Sequence, residues 1–374
     1  MSAPDTVLAR EIELPGYRVT VAPGALATAA DRARESTGAH RFAIVTDANV
    51  APLYARALLA SLGTDTLVST VPPGEEAKTR EQWARITDEM LAAGLGRDAA
   101  LIALGGGVIG DLGGFVAATY MRGIPVVQIP TTLLAMIDAS VGGKTGVDTP
   151  AGKNLVGAFH RPSAVIADPL TLLTLPPAHV RAGLAEAIKH GVIADRAYFE
   201  WTVTRLAELR ETVRASSVLT DTLTELIARS VEIKAAVVRA DEREGGLRKT
   251  LNFGHTLGHA IELSSGYSML HGEAVAIGMV LEGRLAERAG IAERGIAQAI
   301  REAVTAAGLP AARPGQMSAE RVLEATRGDK KARRGVVEYA LPRRIGEMAG
   351  RDAGWAVKVE DSLVLEVLER DELE

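Results

Sequence analysis

The stretch LIALGGGVIGDLGGF, residues 101–115, decides the fold class. It runs from an apolar strand-like segment into Gly105, Gly107 and Gly110 at GxGxxG spacing, and then into a helix-like segment. Glycines in such a turn let backbone N–H groups approach a pyrophosphate, and the helix N-terminus adds a favourable dipole. A tight strand-to-helix turn without ligand would use the same residues, so the motif alone is weak. Two features set it apart from the usual dinucleotide pattern. It follows the third expected strand rather than the first, and the next strand ends in Thr131 and Thr132 with no acidic residue for a ribose. The acidic candidates lie upstream instead, at Asp47 and at Glu75 in PPGEEAKT.

Outward from this turn, RFAIVTD (41–47), DTLVSTV (65–71), AALIALGGG (99–107) and IPVVQIPTT (124–132) are short continuous apolar runs. Runs of this kind suit parallel strands covered on both faces. Helix-like segments separate them, and the alternation predicts a Rossmann-like α/β domain. The pattern changes at the double proline of LPPAHVRAGLAEAIKHG (175–191), after which the chain to about 330 is almost entirely helical. The expected organisation is a parallel-sheet domain over 1–175 and a mainly helical domain over 176–374.

The chain has 374 residues, 47% hydrophobic and 24% charged, enough to bury a sizeable core. A net charge of −5 argues against a general nucleic-acid binder. The absence of cysteine excludes disulfides, thiolate ligands and a cysteine nucleophile. The opening MSAPDTVLAREIELPG carries no signal-type apolar run, and no apolar run reaches the length of a membrane span. A cytoplasmic protein is the expectation.

Three further clusters carry chemistry. DASVGGKTGVDTPAGKNLVGAF (138–159) sets Asp138, Lys144, Lys153 and Asn154 among glycines just after a strand end, where open α/β sheets bind ligands. Glycine-flanked lysines suit an anionic ligand, although a solvated loop would look similar. Glu186 and Lys189 stand three apart on one helix face, the spacing of an ordinary surface ion pair as well. In LNFGHTLGHAIE (251–262), His255 and His259 share a helix face, and His271 returns after a turn. Three of the seven histidines thus fall within 255–271, which points to a metal. Spacing leaves two sites open: three histidines, or two histidines with a carboxylate and an open position.

These motifs, together with HGEAVAIGM (271–279) and GDKKARRG (328–335), resemble in order and wording the 3-dehydroquinate synthase family of sugar-phosphate cyclases over roughly residues 40–350. Phe253 and Leu257 stand where the family pattern has a leucine and a phenylalanine, a swap that keeps bulk and polarity. The resemblance implies an NAD-dependent and metal-dependent (zinc or cobalt) lyase of the shikimate pathway, serving aromatic amino acid biosynthesis. Its substrate, 3-deoxy-D-arabino-heptulosonate 7-phosphate, is transiently oxidised, loses phosphate, is reduced again and closes by an aldol step to 3-dehydroquinate. The implied metal ligands are Glu186, His255 and His271. His259 is left for proton transfer. Lys153, Asn154, Arg122, Lys144, Lys189, Lys234, Asn252, Arg248 and Lys330 (or its neighbour Lys331) would surround the substrate's anionic groups. The implied NAD contacts are Asp47, Glu75, Lys78, Gly106, Gly107, Asp111, Thr131, Thr132 and Asp138, with Lys144 and Lys153 near by. A homodimer is also implied.

Cyclases of secondary metabolism acting on sedoheptulose 7-phosphate or an amino analogue share these features. Metal-dependent polyol dehydrogenases lack the need for so many cations, and a non-catalytic nucleotide-binding regulator would not need the metal and substrate residues.

Overall fold

The structure is a computed structural model and describes residues 9–210, 217–327 and 337–370. The described residues group into two compact units, one within Met1–Leu175 and Arg214–Ala235, the other within Pro176–Val213 and Ala236–Glu374. This grouping is discontinuous in sequence, whereas the pattern break at residue 175 suggests a single cut.

The first unit is built on a seven-stranded sheet. Its strands are β1 (Arg10–Leu14), β2 (Tyr17–Val21), β3 (Arg41–Asp47), β4 (Leu67–Val71), β5 (Ala99–Gly105), β6 (Val126–Pro130) and, after a separate hairpin of β7 (Lys144–Thr149) and β8 (Gly152–Phe159), β9 (Ala164–Ala167). The sheet order is β1-β2-β9-β6-β5-β3-β4. β1 pairs antiparallel with β2, and all other pairings in the sheet are parallel. The helices α1 (Ala29–Thr37), α2 (Arg56–Leu62), α3 (Arg80–Ala92) and α4 (Gly107–Thr119) connect the strands. Two apolar clusters form, one with Ile86, Met90, Leu112 and Val116, the other with Ala29, Ala33, Leu58 and Leu62, so both faces of the sheet are covered. That is why β5 and β6 are buried at every position and read as unbroken apolar runs.

The chain runs from β3 to the edge strand β4 and then returns to place β5 on the other side of β3. This reversal is a topological switch point, and the carboxyl ends of strands flanking such a point form a ligand crevice in open α/β sheets. Asp47 ends β3 and the glycine turn ends β5.

The second unit is mainly helical: α5 (Pro177–Ala194), α6 (Arg196–Val203), α7 (Leu206–Leu209), the end of α8 (Ser217–Ala240), α9 (His255–Ser264), α10 (His271–Arg288), α11 (Ile296–Ala306), α12 (Ala319–Arg327) and α13 (Asp361–Arg370). Pro177 is the first residue of α5, where its missing N–H costs nothing. Three short strands within 338–348, with a fourth at Val357–Lys358, form two small ribbons, 338–339 with 357–358 and 342–344 with 347–348. Leu257, Ile261, Ile277 and Leu281 join α9 and α10 in one apolar cluster. Phe253 and Leu257, the exchanged pair, are both fully buried.

Candidate metal centre and nucleotide crevice

Helix α5 brings Glu186 and Lys189 into the core of the second unit, both essentially inaccessible to solvent and paired with each other. A surface ion pair was the plain alternative for this spacing, and burial rules it out. Against them pack the starts of two helices. His255 is the first residue of α9 and His271 the first of α10. Gly272 makes the approach to α5 feasible, since a Cβ there would lie 2.1 Å from the Ala182 carbonyl oxygen. The same holds between α9 and α10, where a Cβ on Gly278 would lie 2.0 Å from the Gly254 oxygen.

The donors converge. His255 Nε2 lies 3.6 Å and His271 Nε2 3.5 Å from the same Glu186 oxygen, Oε1. Ligands bound tetrahedrally at roughly 2.0–2.1 Å stand about 3.4 Å apart, so these separations suit one small divalent ion. His259 joins the cluster, its ring centroid 5.2 Å from that of His255 and 5.7 Å from that of His271. One nitrogen from each of the three rings lies within 4.8 Å of the others. The structure therefore brings all three histidines together, and His255 and His271 also approach Glu186.

Tautomers follow from the partners. His255 Nδ1 faces the Phe253 carbonyl oxygen at 3.0 Å, and a carbonyl can only accept. Nδ1 thus carries the proton and Nε2 keeps its lone pair toward Glu186. Burial, and then the Lys189 ammonium, hold His255 well below the ordinary histidine pKa, which keeps the ring neutral. At His271 burial also opposes charge, but hydrogen bonds and charges from Glu186 and Glu262 outweigh it and push the pKa up to about 9. Glu262 Oε2 lies 3.4 Å from His271 Nδ1, the position of a carboxylate that orients a metal-binding imidazole. Glu262 escaped the sequence reading, although it continues the face of His255 and His259 at positions i+7 and i+3.

Upstream of α9, Asp241 accepts backbone N–H bonds from Gly245, Gly246 and Arg248, which folds the segment leading to a 3-10 turn at Leu247–Asn252. Arg248 is almost fully buried and donates to the Glu242 carbonyl, and Asn252 Nδ2 donates to Glu244 Oε1 at 2.8 Å. Lys330 and Lys331 lie outside the described residues.

In the first unit, Gly106 caps α4 and Gly107 is its first residue. Thr131 N donates to Gly105 O, which fastens the end of β6 to the glycine turn. The hydroxyl oxygens of Thr131 and Thr46 are buried without a hydrogen-bond partner among the described residues, both at strand carboxyl ends. Buried hydroxyls left unmatched beside a glycine turn suit a polar ligand such as a nucleotide. Asp47 Oδ1 accepts from the N–H groups of Asn49 and Val50, and Thr132 Oγ1 accepts from Ala135 N.

Three lysines of this unit are matched to carboxylates. Lys78 Nζ lies 2.5 Å from Asp111 and 3.7 Å from Glu75, and Glu75 is also 3.8 Å from Lys153. Burial pulls the Lys78 pKa down, but Asp111 and Glu75 more than restore it. Lys234 Nζ lies 2.6 Å from Asp138 Oδ1, so a residue assigned to the substrate and one assigned to NAD are paired with each other. Lys144, Lys153 and Asn154 sit on the β7–β8 hairpin rather than on an irregular loop. Asn154 has a left-handed backbone (φ 55°), and its N–H is held by Asp148 Oδ1 at 2.8 Å. Arg122 is exposed in a turn where it and Met121 have φ of 67° and 51°, a strained arrangement for non-glycine residues.

Comparison with known proteins decides the family. The model for the 3-dehydroquinate synthase N-terminal region matches residues 68–182, and that for the C-terminal region matches 183–332. The chain belongs to the 3-dehydroquinate synthase family. The 3-dehydroquinate synthase of Symbiobacterium thermophilum is 48% identical over 82% of this chain and 86% of its own length. That of Synechococcus sp. strain CC9605 is 45% identical over 91% and 92%. Among solved structures, 2-epi-5-epi-valiolone synthase from Streptomyces hygroscopicus subsp. jinggangensis 5008, with NAD+ and Zn2+ bound, superposes with a TM-score of 0.85 at 31% identity. That match covers 96% of this chain and 98% of the other. A 2-deoxy-scyllo-inosose synthase shares the fold at TM-score 0.85 and 24% identity, over 97% and 99%. This member of the 3-dehydroquinate synthase family is thus an enzyme, with the family's two-part α/β and helical fold. Among its described residues no helix is long and apolar enough to cross a membrane.

Proposed function

We propose that the chain converts 3-deoxy-D-arabino-heptulosonate 7-phosphate to 3-dehydroquinate and phosphate with NAD+ and a divalent metal, zinc or cobalt. The observation that carries this is the convergence of His255 Nε2 and His271 Nε2 on one oxygen of Glu186, in a chain whose relatives at 45–49% identity are named 3-dehydroquinate synthase. In this assignment Glu186, His255 and His271 hold the metal. The bound metal supplies Lewis-acid stabilisation of substrate oxygens, and NAD+ supplies a hydride acceptor that is regenerated. His259, a half-buried neighbour of both metal-binding rings, moves a proton at the substrate hydroxyls. Lys153, Asn154, Arg122, Lys144, Lys189, Lys234, Asn252, Arg248 and Lys330 bind the carboxylate and phosphate. The first unit holds NAD, with Gly106 and Gly107 against its pyrophosphate and Thr131 supplying a hydroxyl. Asp47, Glu75, Lys78, Asp111, Thr132 and Asp138 complete that subsite.

The ion pairs of Lys78, Lys153 and Lys234 support a site that holds cations ready without accumulating net charge. A homodimer is proposed as well, supported by Leu155, Val156 and Phe159, which are exposed on the open ribbon strand β8. Light scattering should give twice the chain mass.

The reaction is tested by incubating purified protein with NAD+, Zn2+ or Co2+ and the heptulosonate phosphate. Phosphate release without net NADH is the expected result. Steady NADH accumulation would instead identify a polyol dehydrogenase. Turnover of sedoheptulose 7-phosphate or an amino analogue, and not of this substrate, would place the enzyme among the cyclases of secondary metabolism.

A further inference from the structure

Glu282 lies on α10, eleven residues and about three turns beyond His271, and therefore on the same helix face. It is fully buried, in a position where a carboxylate is costly unless well bonded. Its two oxygens both reach across to the start of α9. Oε2 accepts from Gly254 N–H at 2.6 Å, and Oε1 accepts from Leu257 N–H at 3.0 Å. Gly254 is the residue before α9 and Leu257 the third residue of the helix. Glu282 thus satisfies both donors of a capping box: the Leu257 N–H that a serine, threonine or aspartate cap would take, and the cap residue's own N–H, which a glutamate at the third helical position would take.

The helix cannot supply that cap itself. Gly254 has a left-handed backbone (φ 76°), and a Cβ there would lie 2.4 Å from Met279 Cγ. Close packing of α9 on α10 thus demands glycine at the cap, and glycine brings no capping side chain. A carboxylate from the facing helix fills the role.

The bond to Gly254 reaches further. The N–H of Gly254 and the C=O of Phe253 belong to one peptide group, which is planar and rigid. Its N–H donates to the Glu282 carboxylate, and its C=O accepts the Nδ1 proton of His255. The order is carboxylate, peptide, imidazole, with Nε2 at the far end directed to Glu186. An anion bonded to the N–H polarises the peptide and strengthens its oxygen as an acceptor. That fixes both the orientation of the His255 ring and the nitrogen left open.

We propose that Glu282 is a positioning residue for the metal centre, acting through the Phe253–Gly254 peptide to hold His255 in the Nδ1–H tautomer with Nε2 directed at the ion. This deepens the function proposed above and rests on its assignment of His255 as a ligand. Outer partners of metal-binding histidines are worth roughly 10–100-fold in metal affinity when removed.

The test titrates metal-stripped wild type, Glu282→Gln and His255→Ala with Zn2+ and Co2+ against a chromophoric chelator, with circular dichroism and thermal melting of each metal-free protein alongside. Glu282→Gln keeps the shape but replaces one acceptor with a donor, so its metal affinity should fall roughly 10–100-fold with helix content unchanged. A folded Glu282→Gln protein that melts earlier yet binds metal like wild type would reduce Glu282 to a helix cap and overturn the proposal. His255→Ala separates the two levels. If it too retains wild-type affinity, the metal assignment itself falls. If it loses the ion while Glu282→Gln does not, only the role of Glu282 falls. Should Glu282→Gln fail to fold, 15N NMR of metal-free wild type decides. The Nδ1–H tautomer at His255 is expected, and the Nε2–H tautomer would refute the proposal.

Discussion

The two functional regions of the chain hold their charges in different ways. At the proposed metal centre the donors come from the starts of two helices and the middle of a third, and both histidines are fixed from behind. Phe253 and, through its peptide, Glu282 stand behind His255, and Glu262 stands behind His271. The close approaches at Gly272 and Gly278 leave these helices no slack. The nucleotide crevice and the β7–β8 hairpin are held by ion pairs among long side chains, with Lys153 and Glu75 still partly exposed. A metal demands donors placed within tenths of an ångström, and backbone-to-backbone packing can provide that. A large anionic ligand demands compensating charge, which flexible lysines provide while they pair with carboxylates.

The largest effects should come from the ligands. His271→Ala should lower metal affinity by more than roughly 100-fold, beyond what outer partners contribute. His259→Ala should keep the metal and lose rate. Metal analysis of both dialysed variants checks this, and equal loss in the two would merge the roles assigned to them. Next come the ion pairs. Lys78→Met leaves Asp111 without its nearest cation in a largely buried place, and should cost about 3 kcal/mol in denaturant unfolding. Lys153→Met, at a longer and more exposed pair, should cost under about 1 kcal/mol while impairing phosphate release. Similar losses would show that burial does not separate the two lysines.

Gly272→Ala tests the packing side of the comparison. Its new Cβ meets a backbone oxygen that cannot rotate away, so α5 and α10 must separate. About 1–3 kcal/mol of stability should be lost, together with metal affinity, because Glu186 and His271 move apart. Retained affinity in a destabilised protein would show that the centre tolerates slack.

A pH-dependent effect concerns Asp241. Burial raises its pKa, but the N–H groups of Arg248, Gly246 and Gly245 lower it further than burial raises it. A depressed pKa in the folded state means stabilisation that is complete above the ordinary carboxylate pKa and fades as pH falls through the folded value. Asp241→Asn should therefore be less stable than wild type by about 1 kcal/mol near neutrality, with the gap closing as pH falls below the ordinary aspartate range. A gap independent of pH would remove the charge from the explanation.

Much of the fold was legible because burial on both faces writes itself into sequence. RFAIVTD (41–47) coincides with β3, and the runs at 99–107 and 124–132 contain β5 and β6. Helix α4 begins at Gly107, inside the glycine turn itself, where low helix propensity leaves its start unmarked in the sequence. The hairpin β7–β8 looked like a loop. Its strands are held by a backbone ladder and leave most of β8 exposed, so no apolar pattern marks it. β1, β2 and β9 are four or five residues long and were likewise not anticipated.

In the site, the clustering of His255, His259 and His271 was visible as spacing. Glu282 was not, because it acts on backbone groups 25 and 28 residues away through a helix crossing. Asp148 was missed for a similar reason: its partner is the N–H of Asn154, across a hairpin that the glycine-rich composition concealed. Side chains that touch a ligand leave a motif, whereas side chains that position them act through backbone atoms common to every residue.

The central claim is that Glu186, His255 and His271 hold the ion and His259 does not. X-ray absorption spectroscopy of the Co2+-loaded wild type and of its His259 and Glu186 variants measures the donor set directly. Two imidazole nitrogens and at least one oxygen donor are predicted, with the imidazole count unchanged in His259→Ala and the coordination sphere altered in Glu186→Gln. Three imidazoles in the wild type, falling to two in His259→Ala and left untouched by Glu186→Gln, would contradict it.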